Sequence, residues 1–181
     1  MLVIVVPGVE GWDEVKEEFV TAKPPVVLQL EHSLISLSKW EAKWEKPFLS
    51  KTKKSLEETL DYVRCMNLNP GTPAEVYQRL SAQNLKAINR YIDAKCTATT
   101  IRESGKPARS SEGVTSELIY YWMVALNIPF ECQKWHLNRL LTLIRVCNIK
   151  SQPPKKQSQH ATMRQNAALN AARRRKAHSK G

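Results

Sequence analysis

The segment that most limits what this chain can fold into is Val114–Lys150, VTSELIYYWMVALNIPFECQKWHLNRLLTLIRVCNIK, its most apolar long stretch. It reads as two helices broken at Ile128-Pro129. Thr115 or Ser116 can cap the first helix, and Glu117 falls in the first turn, where a negative charge meets the positive helix end. Leu118, Ile119, Tyr121, Trp122, Ala125 and Leu126 cover more than half of the circumference, which predicts burial on most sides. Pro129 lacks the N–H that a helix interior requires but suits a first turn, so it opens the second helix. Phe130, Leu137, Leu140, Leu141, Ile144 and Cys147 then form one apolar stripe at helical spacing, with Lys134, Arg139, Arg145 and Lys150 mostly off it. A helical hairpin of this kind is a core, and it assembles no catalytic groups.

With 181 residues, 42% of them apolar, the chain suits one domain with appendages. Its net charge of +11 is uneven. Residues 151–181 hold eight cations and no acid, and subtracting these leaves +3 for residues 1–150. The chain therefore divides into an α-rich globular domain, 1–150, and a basic tail, 151–181. Ala161–Lys176 is rich in Ala and Arg, a composition that is helical when bound and disordered when free. Such a cluster attracts phosphates in a salt-dependent way. The tail has no aromatic side chain to stack on bases, which favours an acidic protein partner over nucleic acid. Lys155, Lys156, Arg164, Arg173, Arg174, Arg175 and Lys176 are its candidate partner-binding residues.

At the other end, Leu2–Val6 is a β-branched run closed by Pro7-Gly8, and Pro25–Leu30 is a second such run able to pair with it across the acidic segment Trp12–Phe19. Their continuous apolar character predicts burial on both faces, and two strands alone need helices to lie against. Glu31–Phe48 is a helix ended by Pro47, with Leu30, Leu34, Leu37, Trp40, Glu41 and Trp44 approximating one face. Trp40 and Trp44, one turn apart, make an aromatic ridge. Its ordinary place is the core; exposed, it would be a partner surface, and both residues are candidates for that role. Ser55 and Glu58 form a capping-box pattern before Leu56–Cys65. Thr72 can cap a helix beginning at Pro73, and Asn84 can cap another bearing Leu85, Ile88, Tyr91 and Ile92. Cys96–Ile101 is strand-like or an extended linker, and Arg102–Gly113 a polar loop. The fold class is mainly α (α+β): a helical domain with a small N-terminal β element and a basic C-terminal tail.

Chemistry-bearing residues are sparse. His136, alone on a helix, has no second ligand at metal-binding spacing, and His32 with Glu31 would point to different helix faces. Glu57, Glu58 and Asp61 with Lys53 and Lys54 read as a solvated charged face. The four cysteines stand singly, with no CxxC pair, which fits reduced, partly buried thiols in a cytosolic protein. Phosphate-loop, nucleophile-elbow and zinc-protease motifs are missing from the sequence. Met1–Val6 lacks the basic start of a signal peptide, and no apolar run reaches membrane-spanning length. These observations predict a non-enzyme without a cofactor.

Four stretches carry a resemblance: MLVIVVPG, LQLEHSLISLSKWEAKWEKPFLSKTKKSLEETLDYVRCM, KWHLNRLLTLIRVCNIK and RQNAALNAARRRKAHSKG. Together they make up 82 of the 181 residues, spread from one end of the chain to the other, and resemble a family of small virion-morphogenesis proteins of tailed bacteriophages and prophages, similar to tail assembly chaperones. The chain departs from that pattern over Arg102–Gly113. The resemblance implies a protein of the host cytoplasm, or of the virion, that keeps the tape-measure or major tail protein soluble during tail construction, and it supplies no catalytic residue. A head–tail connector or tail subunit, and a nucleic-acid-binding protein acting through the basic tail, are the alternatives. Self-association is compatible with each.

Overall fold

The valine-rich runs at the N-terminus form the first layer. In the computed structural model, which describes residues 1–14, 17–50, 52–101, 113–151 and 159–177, strand β1 (Leu2–Val6) pairs antiparallel with β4 (Val26–Leu30), Leu2 opposite Leu30 and Val6 opposite Val26. Burial alternates along both strands: Ile4, Val6, Leu28 and Leu30 face inward, while Val3, Val5 and Val27 are exposed. The expected two-sided burial is therefore wrong. Helices cover one face only, as a two-stranded sheet allows. Between these strands the acidic segment is a second hairpin that the sequence reading did not anticipate, β2 (Val9–Asp13) with β3 (Glu18–Lys23).

Helix α1 (Leu34–Trp44) organises the rest. Ser33 and Ser36 close a capping box at its start, and Glu45 ends it in the left-handed conformation, two residues before Pro47. Trp40 belongs to a core cluster under the β1–β4 sheet, with Tyr62, Val63, Met66, Val76, Tyr77 and Ile88. Leu34 and Leu37 belong to a second cluster, with Ile119, Met123, Ile128, Cys132, Leu137, Leu140 and Ile144. The C-terminal hairpin thus supplies one of two cores, and α1 is common to both.

Helix α2 (Leu56–Met66) has the expected Ser55–Glu58 capping box. The charged face is not simply solvated, contrary to the sequence reading. Lys43 pairs with Asp61 at 2.6 Å, Lys46 with Glu58 at 2.7 Å, and the Trp44 indole N–H donates to Asp61 at 2.9 Å, so these carboxylates clasp α2 to α1. Burial opposes charge on Asp61, but the bonds from Lys43 and Trp44 and the nearby cations outweigh it and hold the carboxyl below its usual range. Lys46 lowers Glu58 in the same way.

Two caps differ from expectation. Pro73 is the N-cap residue of α3 (Ala74–Gln78), while the Thr72 hydroxyl donates to the Asn69 carbonyl and accepts from Asn67. Ser81, not Asn84, caps α4 (Ala82–Asp93), accepting from the Asn84 N–H. Cys96–Ile101 is a linker without strand pairing, left-handed at Cys96 and bent at Ala98, and Arg102–Glu112 lies outside the described residues.

Thr115 caps α5 (Ser116–Ala125). Only Ser116, Ile119 and Met123 on it are buried; Tyr121, Val124 and Ala125 are exposed, so the helix is buried along one stripe and not on most sides. Pro129 opens a short 3-10 turn, Phe130–Lys134, and α6 (Leu137–Ser151) begins after it. Leu137, Leu140 and Ile144 are buried as the stripe predicts. Phe130 is exposed, and Leu141 is half-buried, bordering an open pocket with Ile101 and Arg145.

The chain forms two units, Met1–Asn148 and Ile149–Gly181. Within the second, α7 (Gln159–Lys176) is one helix with exposed side chains from Met163 onward.

Candidate partner-binding surface

The predicted ridge is inside the protein. Trp40 is 1% exposed and its indole N–H donates to the Glu58 carbonyl at 2.9 Å. Trp44 stacks on it with ring centroids 6.1 Å apart, half-buried beneath Lys43 and Lys46, whose ammonium groups lie 5.4 and 5.8 Å from the ring. Trp40 has no free surface to offer a partner; Trp44 offers one covered edge. Among the tail candidates, Arg164, Arg173, Arg174, Arg175 and Lys176 are exposed on α7, and the three arginines and Lys176 make up its last turn. Lys155 and Lys156 lie outside the described residues.

The exposed apolar surface is elsewhere, on the β elements. Val5 stands directly across from Val27, and Val3 lies two residues along on the same face, so three valines present one open sheet surface. On the β2–β3 hairpin Trp12 lies across from Phe19, 54% and 72% exposed, their rings edge-to-face at 5.1 Å. Glu10, opposite Thr21, shares that face.

The body grips this hairpin at its base. One guanidinium nitrogen of Arg79 donates to the Pro7 and Pro24 carbonyls at 3.2 and 3.3 Å, and Lys23 pairs with Glu75. Gly8 is required there, because a Cβ would lie 2.8 Å from the Lys23 carbonyl oxygen. A hairpin of two strands is marginal in water by itself. Two large aromatic rings held out on one are a surface awaiting cover.

A buried polar seam joins the two cores. His32 Nδ1 is 2.5 Å from the Tyr62 hydroxyl, and its ring lies 5.1 Å from that of His136. His136 Nδ1 accepts from the Asn138 N–H, and Nε2 donates to the Tyr91 carbonyl. Burial, with the second imidazole adding to it, lowers the His32 pKa to about 3. Burial raises the Tyr62 phenol far above its ordinary value. Neither group is poised for proton transfer at neutral pH. The Glu41 carboxylate, also buried, accepts the Phe48 N–H at 2.7 Å and the Ser116 N–H at 2.6 Å, tying α1 to the start of α5. These imidazoles and carboxylates act as stitching, and among the described residues no group of three or more metal-ligating side chains converges. Burial raises the Cys65 thiol, the nearby Asp61 charge adding to it, which disfavours the thiolate.

Sequence reasoning missed both the Trp12–Phe19 pair and the His32–His136 pair. An alternation of apolar and acidic residues around Trp12 and Phe19 was the available signal for the first. Nothing local marks the second.

No protein-family model, no curated protein and no solved structure matches this chain. No described helix is long and apolar enough to cross a membrane.

Proposed function

We propose that this protein is a morphogenesis factor of tailed bacteriophages, of the tail-assembly-chaperone kind, acting in the host cytoplasm by shielding a tape-measure or tail protein. The observation that carries a binding role is the exposed apolar β surface, Val3, Val5 and Val27 with Trp12 and Phe19, on a body where side chains cap the starts of α1, α2 and α5. The phage assignment rests on the resemblance of the quoted stretches.

The magnitudes suit transient contact. An aromatic side chain offers roughly 200 Å², so covering the outstanding part of Trp12 and Phe19 is worth about 6 kcal/mol gross at ~25 cal/mol per Å². Association costs of at least about 4 kcal/mol consume most of that. The aromatic pair alone therefore gives a weak, reversible grip, which suits an assembly factor better than a permanent subunit. Charge or the valine face has to supply the remainder.

Co-expression with the tape-measure protein encoded beside it tests the reading. The native protein should raise the soluble yield of that partner, and a Trp12→Ser/Phe19→Ser variant should not. Mass spectrometry of purified virions should then find the protein absent; stoichiometric presence would make it a connector or tail subunit. A second reading, nucleic-acid binding, is favoured by the arginine cluster ending α7. It requires that nuclease treatment abolish co-purification.

A further inference from the structure

We propose that the aromatic face of the β2–β3 hairpin docks the basic helix α7 of a second copy of this chain. The inference rests on the reading of that face as a docking surface, but not on the identity of any phage partner. The surface is the unpartnered sheet face of Glu10, Trp12, Phe19 and Thr21. Its charge selects the occupant. Residues 9–23 hold five acids and two lysines, and Lys23 is engaged by Glu75. Among the described residues Glu10, Glu14, Glu17 and Glu18 make no ion pair. A cationic segment with some apolar surface is the complement.

The chain carries such a segment. Helix α7 has five cations and no acid, and Leu169, Arg173 and Lys176 sit at i, i+4 and i+7, hence on one helix face. Leu169 is exposed, as are both cations. Laid on the hairpin, Leu169 would cover an aromatic ring while Arg173 and Lys176 meet the ring faces and the carboxylates. The body already uses that chemistry: the Arg139 guanidinium lies 4.2 Å from the Trp135 ring centroid, and Lys43 and Lys46 lie over Trp44. The contact is heterologous, helix to hairpin, so one copy can donate its helix to a neighbour while receiving another on its own hairpin.

The test is self-association of the purified, nuclease-treated full-length protein, followed by sedimentation velocity over a range of concentration and salt. Native protein should gain mass with concentration and lose it as salt rises. Trp12→Ser/Phe19→Ser and Arg173→Glu/Arg174→Glu/Arg175→Glu should each weaken association by about tenfold or more, a factor well resolved as a shift in Kd. The thermal midpoint of both variants should be unchanged, since neither set of side chains is in a core; the glutamates oppose the dipole of α7, so Arg173→Gln/Arg174→Gln/Arg175→Gln serves as the control that removes the cations alone. Mixing the two variants is decisive. Each retains the half that the other lacks, so the mixture should form heterodimers that neither forms alone.

Native protein that stays monomeric throughout overturns the proposal, as does either variant associating as well as native or a mixture that fails to complement. Association seen only in a parallel sample left untreated with nuclease also overturns it and assigns α7 to nucleic acid. If native protein is monomeric yet the aromatic variant still loses the tape-measure protein on co-expression, self-docking fails and the assembly-factor reading stands.

Discussion

The protein contains two aromatic pairs of similar make-up and opposite fate. Trp40 and Trp44 are one helical turn apart on α1; Trp12 and Phe19 are cross-strand neighbours on a ribbon. The first pair lies under a second layer, where α2 supplies a carbonyl to one indole N–H and a carboxylate to the other, and lysines close over the edge. The second pair has no layer over it. An aromatic pair is equally favourable to cover in either setting, so what separates a covered pair from an open one here is the neighbouring element, not the residue type. The covered pair should govern stability and the open pair association.

That contrast is broken most directly by truncation. Trp40→Ala should cost about 3–5 kcal/mol in urea unfolding, whereas Trp12→Ala should stay within about 0.5 kcal/mol. Equal costs would mean that the hairpin is folded into the body's stability after all. The same distinction can be sharpened inside α6. Leu140→Ala should cost about 2–5 kcal/mol. Half-buried Leu141→Ala should cost less than half as much, and a reversal would put the wrong stripe of α6 inward.

The polar seam gives a pH test of the covered region. His32 has a depressed folded pKa, so the unfolded chain takes up its proton first as pH falls. Its contribution is complete above the ordinary imidazole value and is lost downward toward about pH 3. The slope should approach about 1.4 kcal/mol per pH unit, and His32→Asn should flatten it; an unchanged slope would assign the acid loss to other groups. Next in size, Glu41→Gln should cost about 1–2 kcal/mol, because one of the two backbone donors it serves then faces an amide N–H₂. The finest test is spectroscopic: in single-tryptophan variants iodide should quench Trp12 strongly and Trp40 hardly at all.

What could be read from the sequence was what adjacent residues decide. Ser55 and Glu58 sit three apart, so their capping box is written locally, as is the stripe of Leu137, Leu140 and Ile144. The mainly α class with a small β element at the N-terminus followed from the same patterns. Errors arose where two good answers lie close together: Ser81 and Asn84 are both effective caps, and the pattern does not rank them. An all-apolar strand such as Leu2–Val6 does not reveal whether one face or both will be covered. The hairpin was hidden by Gly11 and by its density of acids, both of which are depleted in strands. For the candidate surface, the tail cations were visible as composition, whereas Trp12 meets Phe19 only through the cross-strand register of β2 and β3. His32 and His136 meet because Ser33 bridges to His136, a pairing set by the core that Leu34 and Leu37 share with Leu137 and Leu140.

That last junction sets a schedule for synthesis. The Leu137 N–H donates to the His32 carbonyl at 2.7 Å, and Leu34 and Leu37 are covered in part by Leu137, Leu140 and Ile144. About a hundred residues separate the two sides of this seam, and a ribosome adding roughly 5–20 residues per second takes on the order of 5–20 s to span them. Throughout that interval the N-terminal strands and α1 can meet α2 and settle under the first core, while one flank of α1 stays uncovered. The body is finished from its far end, when α6 leaves the exit tunnel.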